Sequence, residues 1–424
     1  SSDWCSSDVV FGLSYAGEKE KELMRNHISK SKGILPENLE VGYQKLFRLP
    51  LTGHEYYFGK VTDKMGGKSY SVAVDAGGNV VDHEALQAGE KAAYKAKYGK
   101  LNPSLHKTLE TAAPGEKVRV SLWLKMGGRT TEMPRLTRSE AEALGKEGIR
   151  LKRKQQFERA KEIHAEVHTP VLNFLSQRGF QAKGSDIAPL VFTEVPDHVI
   201  RELAERDDVD SIDLVVEGGP EAEIEKSISP IGGPEASSGR STVKANVVEA
   251  RGITGDGYKV AVIEGDGVSD GNPYLNNATH NVAFYDSVTK NIDAHATAVA
   301  GFIASTHGTH RGVAPGIDTI LSGNDDWTLT GYQNSVTWAN GQGAIAFNHS
   351  IYIETDGVMH NSDRWADYVV RNYIHAFIKS AGNRGETDAN VTSPGLGYNV
   401  LTVGAIDDFD NADWSDDRMA GLSS

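Results

Sequence analysis

Residues 258–264 read YKVAVIE, an almost unbroken apolar run closed by a carboxylate. A strand with one face in water alternates apolar and polar residues, so a continuous run predicts a strand buried on both faces of a parallel sheet. The pattern repeats downstream. HATAVAGFIAS (295–305) has small residues at helical spacing, and APGIDTILSG (314–323) reads as a strand. GYQNSVTWANGQG (331–343) is a helix, AIAFNHSI (344–351) a strand and RWADYVVRNYIHA (364–376) a helix. AFIKSAGN (376–383) and NVLTVGAI (399–406) complete the series. Buried strands alternating with helices predict an α/β class with helices on both faces of a parallel sheet.

The totals fit a globular protein of more than one domain. The chain has 424 residues, 39% hydrophobic and 24% charged, and no apolar run long enough to span a bilayer. It opens on Ser1 without a charged-then-apolar leader, which is read as a start set either by processing or by a chosen boundary. The single cysteine, Cys5, excludes an internal disulfide framework and a cysteine zinc cage. Charge is unevenly placed. From Glu217 onward 12 Lys and Arg face 27 Asp and Glu, whereas the first 216 residues carry 32 against 31. The whole net charge of −14 therefore lies in the second half, which argues against a nucleic-acid partner there.

Toward the N-terminus the pattern is α+β. Residues 55–81 alternate around Gly-rich turns and read as a hairpin, followed by a helix with Asp82 as cap and Gly99 as stop. From about Lys117 to Val216 come a strand at 118–124, a long charged helix at about 139–178 and a strand around GFQAKG. The strand IAPLVFTEV, the helix PDHVIRELAER and the strand VDSIDLVV follow, an order that fits a small split-βαβ sandwich. EGGPEAEIEKSISPIGGPEASSGRS, rich in Pro, Gly, Ser and Glu, reads as a linker. The expected division is 1–112 (a module without an assigned role), 113–216, a linker at 217–245, and 246–424.

Ligands of open parallel sheets bind beyond the carboxyl ends of the strands. Glu264 and Asp266 follow KVAVI, Asn383 follows AFIKSAG, and His295 heads its helix. An acid, an imidazole and an amide on one edge would form an acid–base relay beside an oxyanion donor. These residues also carry a family resemblance. YKVAVIEGDGV resembles the acid-bearing strand of subtilisin-like serine proteases, HATAVAGFIAS their histidine helix, and GVAPGIDTIL the strand after it. AIAFNHSI is similar to their substrate-lining strand, SAGNRG to their oxyanion loop, and SPGLGYNVLTVGAI to the strand beyond. The blocks follow the family order, with 31 residues from Glu264 to His295 and 88 from His295 to Asn383.

The resemblance implies a hydrolase, a secreted or cell-surface serine endopeptidase acting on polypeptides through an acyl-enzyme. His295 would be the general base, Glu264 or Asp266 the acid that orients it, and Asn383 the oxyanion donor; Ser350, Ile351 and Tyr352 would line the cleft. No cofactor or metal is expected at the site, and a structural calcium stays open. The module ending EVPDHVIRELAERDDVDSIDLV resembles the family's prosegment, which would make the chain a zymogen cut between Glu217 and Arg240, with its own prosegment as a partner. The sequence departs from the pattern in three ways. EGDG stands for Asp-Thr-Gly, which favours Glu264 over Asp266; Ala296 replaces a glycine; and the block bearing the nucleophilic serine is missing, so that serine is expected beyond MAGLSS. Two alternatives remain: a catalytically inactive subtilase fold that serves as a binding module, and a sedolisin-like Ser-Glu peptidase, against which the His-x-Thr context of His295 speaks.

Four other motifs are read without a catalytic role. HAEVH (164–168) is read as a solvated helix face rather than a zinc motif, and HGTH (307–310) as surface loop. DDFDNADWSDD (407–417) is read as a solvated acidic loop, since it lacks the glycine and terminal Glu of a calcium loop. Asn277 and Asn390 match the glycosylation triplet.

Overall fold

The computed structural model describes residues 10–12, 17–132, 136–220, 235–285, 291–324, 328–373, 376–385, 391–409 and 413–424. The chain divides into two compact units, Ser1–Pro103 and Ser104–Ser424.

The first unit is an antiparallel sheet with two helices. Its elements are β1 (Val10–Gly12), α1 (Glu18–Lys32), β2 (Leu39–Leu49), β3 (His54–Asp63), β4 (Ser69–Asp75), β5 (Val80–Val81) and α2 (His83–Tyr98), with the strands in the order β1-β2-β3-β4-β5. Met24 and Ile28 of α1 lie on Leu39, Val61, Val72 and Val74 of the sheet. Asp82 accepts the Ala85 N–H and so caps α2, and Gly99 ends it with φ 63°. Both are the residues the sequence nominates, because a short carboxylate satisfies free N–H groups and glycine tolerates positive φ.

The second unit opens with α3 (Pro103–Thr111), β6 (Lys117–Leu124), α4 (Arg138–Gln177), β7 (Ala182–Gly184), β8 (Leu190–Pro196), α5 (Asp197–Glu205) and β9 (Val209–Leu214). Its strands form an antiparallel sheet in the order β7-β8-β6-β9. Thr137 and Glu140 close a capping box at the start of α4, and Gly145 breaks the helix with φ 63°.

Then follow β10 (Gly219–Pro220), α6 (Glu235–Thr242), α7 (Ala245–Glu249), β11 (Lys259–Glu264), β12 (Asn281–Phe284), α8 (Ala294–Ala304), β13 (Thr319–Asn324), α9 (Leu329–Gly341), β14 (Ala346–His349), β15 (Ile351–Tyr352), α10 (Asn361–Tyr373), β16 (Ala376–Ser380) and β17 (Leu401–Val403). The large sheet is wholly parallel, in the order β12-β13-β11-β14-β16-β17. YKVAVIE thus becomes its central strand β11, with Ala261–Glu264 buried. Ala296, Ala300 and Ala304 of α8 pack on Val262 and Ile320, where their small side chains let helix and sheet approach closely.

α9 and α10 lie between the two sheets of this unit. One apolar cluster joins Ile263, Leu321, Phe347 and Phe377 of the parallel sheet to Tyr332, Trp365 and Val369 of the helices and on to Trp123, Phe157, Ile187 and Leu190 of the antiparallel module. Each fully buried large side chain contributes about 1.5–3 kcal/mol. The module is therefore packed on α10 as a core, with the Arg364 guanidinium 4.4 Å from the Trp123 ring centroid.

Two sequence readings change here. The expected linker is partly ordered secondary structure, since Gly219–Pro220 pairs with Ile351–Tyr352 and Glu235–Thr242 is helical; residues 221–234, which hold most of the proposed cut region, lie outside the described residues. The histidines of HAEVH are not solvated. His164 and His168 are 0% and 3% exposed and belong to the inner face of α4, while Ala165 and Glu166 face water, Glu166 at 3.5 Å from Arg129.

Candidate active site

The carboxyl ends of β11, β14 and β16 lie side by side, since Ile263 pairs with His349 and His349 with Lys379. Glu264 closes β11 and is buried. The chain after it is pinned to the segment preceding α8: Gly267 N–H donates to Asn291 O (2.7 Å) and Asp293 N–H returns to Gly267 O (2.9 Å). Val268 N–H donates to Ser322 Oγ and Ser269 N–H to Thr297 Oγ1, both at 3.0 Å. A Cβ on Gly267 would come 3.0 Å from Asn291 O and from the Phe284 ring, so any larger residue would have to push these neighbours back. Asp293 caps α8 by accepting the Ala296 N–H at 2.9 Å.

These ties set His295, in the first turn of α8, against Glu264. Nδ1 lies 3.3 Å from Oε2, with the carboxylate 4% exposed and the imidazole 28% exposed. Oε1 of Glu264 is buried without a hydrogen-bond partner among the described residues. The other candidate acid, Asp266, is half-buried in the loop beyond, and the carboxylate that faces the imidazole is that of Glu264. Ala296 is fully buried under the helix start.

Asn383 follows β16 beyond Gly382, whose φ of 121° turns the chain outward at the sheet edge. Thr392 lies directly beneath this turn: its N–H donates to Ala381 O at 2.9 Å, and a Cβ on Gly382 would come within 2.9 Å of Thr392 Cγ2. Ser350 bridges β14 and β15 and accepts from Asn348 Nδ2 at 3.0 Å. Ile353 N–H donates to Ser393 O (3.1 Å) and Ser393 N–H to Glu354 O (2.8 Å), so residues 391–394 tie the Ser350–Tyr352 strand to the Asn383 loop.

Sequence reasoning missed the strand that pairs with β15. The tail of the antiparallel module forms β10, antiparallel to β15, with Gly219 opposite Tyr352 and Pro220 opposite Ile351. Glu217 bridges to Thr328 on the other side. The Gly-Gly-Pro stretch reads locally as linker, and only long-range pairing gives it extended structure.

A buried polar cluster at the start of α10 was also missed. Asp213 of β9 accepts the Asn361 N–H at 2.7 Å, and the Asn361 amide donates to Ser121 O and Oγ. His360 Nε2 lies 3.0 Å from Asp356 Oδ1. Burial pulls the His360 ring down, but Glu354, Asp356 and Asp213 around it prevail and hold it at about 10. Burial pushes Glu354 up to about 7 and Asp363 to about 6. A second cluster joins His164 Nε2 to Tyr368 OH (2.9 Å) and His164 Nδ1 to Asp186 O. His168 Nε2 faces Ala188 O at 3.1 Å. Burial lowers both of these rings to about 4.

A parallel α/β sheet whose central strand ends in a carboxylate paired with a helix-borne imidazole is a subtilisin-like arrangement. Residues 255–423 match the model of the Subtilase family. Serine protease AprX of Bacillus subtilis (strain 168) is 28% identical over 213 residues, covering 43% of this chain and 46% of that protein. The chain thus spans about half the length of this curated relative. Among solved structures, the MycP3 protease from the type VII (ESX-3) secretion system is 21% identical over 49% of this chain and 66% of its own, with a TM-score of 0.34. MycP1 from Mycobacterium smegmatis is 20% identical over 49% and 64%, with a TM-score of 0.32. Among the described residues no helix is long and apolar enough to cross a membrane. Asn390 and Asp410 lie outside the described residues. The Asn277 amide is engaged, donating to Pro273 O and Thr306 Oγ1.

Proposed function

We propose that the protein is the precursor of a serine endopeptidase in which His295 is the general base and Glu264 the acid that orients it. The observation that carries this reading is the 3.3 Å contact of Nδ1 with a buried carboxylate at the carboxyl edge of a parallel sheet. With Nδ1–H held by Glu264, Nε2 is left as the basic nitrogen. It takes the proton of a serine hydroxyl as the oxygen attacks the peptide carbonyl, then gives that proton to the departing amine. The Asn383 amide donates to the tetrahedral oxyanion, and Ser350, Ile351 and Tyr352 pair with extended substrate. The reading requires a serine within reach of Nε2, on the side of the ring away from Glu264.

Residues 113–216 act in this reading as the prosegment, docked on α10 and extended into the groove as β10. The contacts of Asp213 with Asn361 and of His164 with Tyr368 support that docking. The reading includes a maturation cut between Glu217 and Arg240 and a secreted or cell-surface location. Fluorophosphonate labelling of the native protein, mapped by mass spectrometry, tests it. One serine should carry the adduct, and His295→Ala should abolish it. Absence of labelling in protein that hydrolyses no polypeptide would overturn the assignment.

A further inference from the structure

Resting on the peptidase reading, we propose that Tyr352 makes the groove selective for glycine in the polypeptide it accepts, strictly at the place held by Gly218 and loosely at the place held by Gly219. The tail Glu217–Pro220 shows how an extended chain lies there, bridged to Thr328 on one side and paired with Ile351–Tyr352 on the other. A Cβ on Gly218 would collide with the Tyr352 carbonyl oxygen and lie 2.9 Å from Ile353 Cα. Both are backbone atoms of a strand held by Ile353 N–H to Ser393 O, so they cannot step aside without breaking that tie. A Cβ on Gly219 would lie 2.9 Å from the Tyr352 hydroxyl and 3.1 Å from Cζ. That obstacle is the far end of a side chain, which can swing. Neither glycine has positive φ. The demand for glycine therefore comes from space rather than from backbone conformation, and any strand in this register meets it.

The asymmetry gives the test. Hydrogen exchange of the full chain should show at least a tenfold loss of protection in 217–220 and 351–353 for Gly218→Ala. The loss should be smaller for Gly219→Ala and reversed in Gly219→Ala/Tyr352→Ala. Tyr352→Ala should not rescue Gly218→Ala. Unchanged exchange at Ala261–Ile263 shows that each variant is folded. In parallel, a quenched peptide of residues 212–227 is offered to the active protein. Its Gly218→Ala form should be cut at least a hundredfold more slowly, and its Gly219→Ala form only several-fold more slowly, with the latter deficit removed in the Tyr352→Ala protein. Equal protection in wild type and Gly218→Ala, or equal cutting of all three peptides, overturns the proposal. If the exchange pattern holds while no peptide or protein is cut, the peptidase reading has failed and the glycine selectivity of the groove stands.

Discussion

Nδ1 of His295 lies 3.3 Å from Oε2 of Glu264, and the carboxylate that makes this contact is almost wholly buried. In the proposed mechanism it fixes the ring's tautomer and compensates the imidazolium formed during proton transfer. Glu264→Gln keeps the shape and loses both effects. By the precedent of an amide replacing the acid of such a triad, kcat should fall by up to about 10⁴-fold with little change in KM. Steady-state kinetics on the native protein and the variant check this, and a similar loss in Asp266→Asn would move the acid to the loop.

Asn383 is placed by the turn at Gly382, where a Cβ would press on Thr392. If the amide serves the transition state, as proposed, Asn383→Ala should lower kcat by about 10²–10³-fold. A rise in KM alone would show that the side chain binds substrate instead.

Acid should work on the α4–α10 contact. His164 and His168 are buried as neutral rings, lowered from 6.5 to about 4. A depressed pKa means that the unfolded chain takes up a proton before the folded one. The stability they contribute is then fully present above about pH 6.5 and lost as pH falls toward 4. Their ring proton resonances should stay in the neutral position until near pH 4, and titration of either near 6.5 contradicts the buried arrangement.

Much of this was legible in the sequence because buried parallel strands write themselves as apolar runs, and YKVAVIE, AIAFNHSI and AFIKSAGN each became a strand of the sheet. The ends of α2 were legible for a local reason, a capping Asp82 and a terminating Gly99. HAEVH misled because a histidine was counted as polar. Phe157, Ala160, His164, Val167, His168, Val171 and Leu175 are all buried and recur at helical spacing, so the stripe itself marks these rings as interior. The pairing of Gly219–Pro220 with β15 and the Asp213–His360 cluster were not legible, because they join residues more than a hundred positions apart. No local period records such contacts.

Gly312 tests the packing behind the histidine helix. Its missing Cβ would lie 2.6 Å from the backbone nitrogens of Ala304 and Ser305, where Gly312 N–H donates to Ser305 O and Val313 N–H to Phe302 O. Gly312→Ala must push this loop off the end of α8. Overpacking of this kind costs about 1–3 kcal/mol, read as a lower urea midpoint at unchanged slope. A neutral result would mean that the loop relaxes without cost.

The cluster at the start of α10 should act on the alkaline side. His360 is held at about 10 by Glu354, Asp356 and Asp213, which outweigh the cost of burial, against about 6.5 in the unfolded chain. A raised pKa means that the folded state keeps a proton the unfolded state has lost. The contribution is complete below about pH 6.5 and is lost as pH rises toward 10. Burial raises Glu354 from 4.5 to about 7, so its own loss runs from about pH 4.5 to 7 and overlaps the window in which His164 and His168 act in the opposite sense. Above pH 7 the histidine stands apart from these groups. Between about pH 7 and 8 unfolding should release close to one proton, a slope of about −1.4 kcal/mol per pH unit in the unfolding free energy; above pH 8 Lys45, lowered by burial to about 8, takes up a proton on unfolding and acts in the opposite sense. Urea titrations between pH 7 and 8 measure the histidine alone. A flat profile would show that His360 is neutral among its carboxylates and that the cluster is held by hydrogen bonds alone.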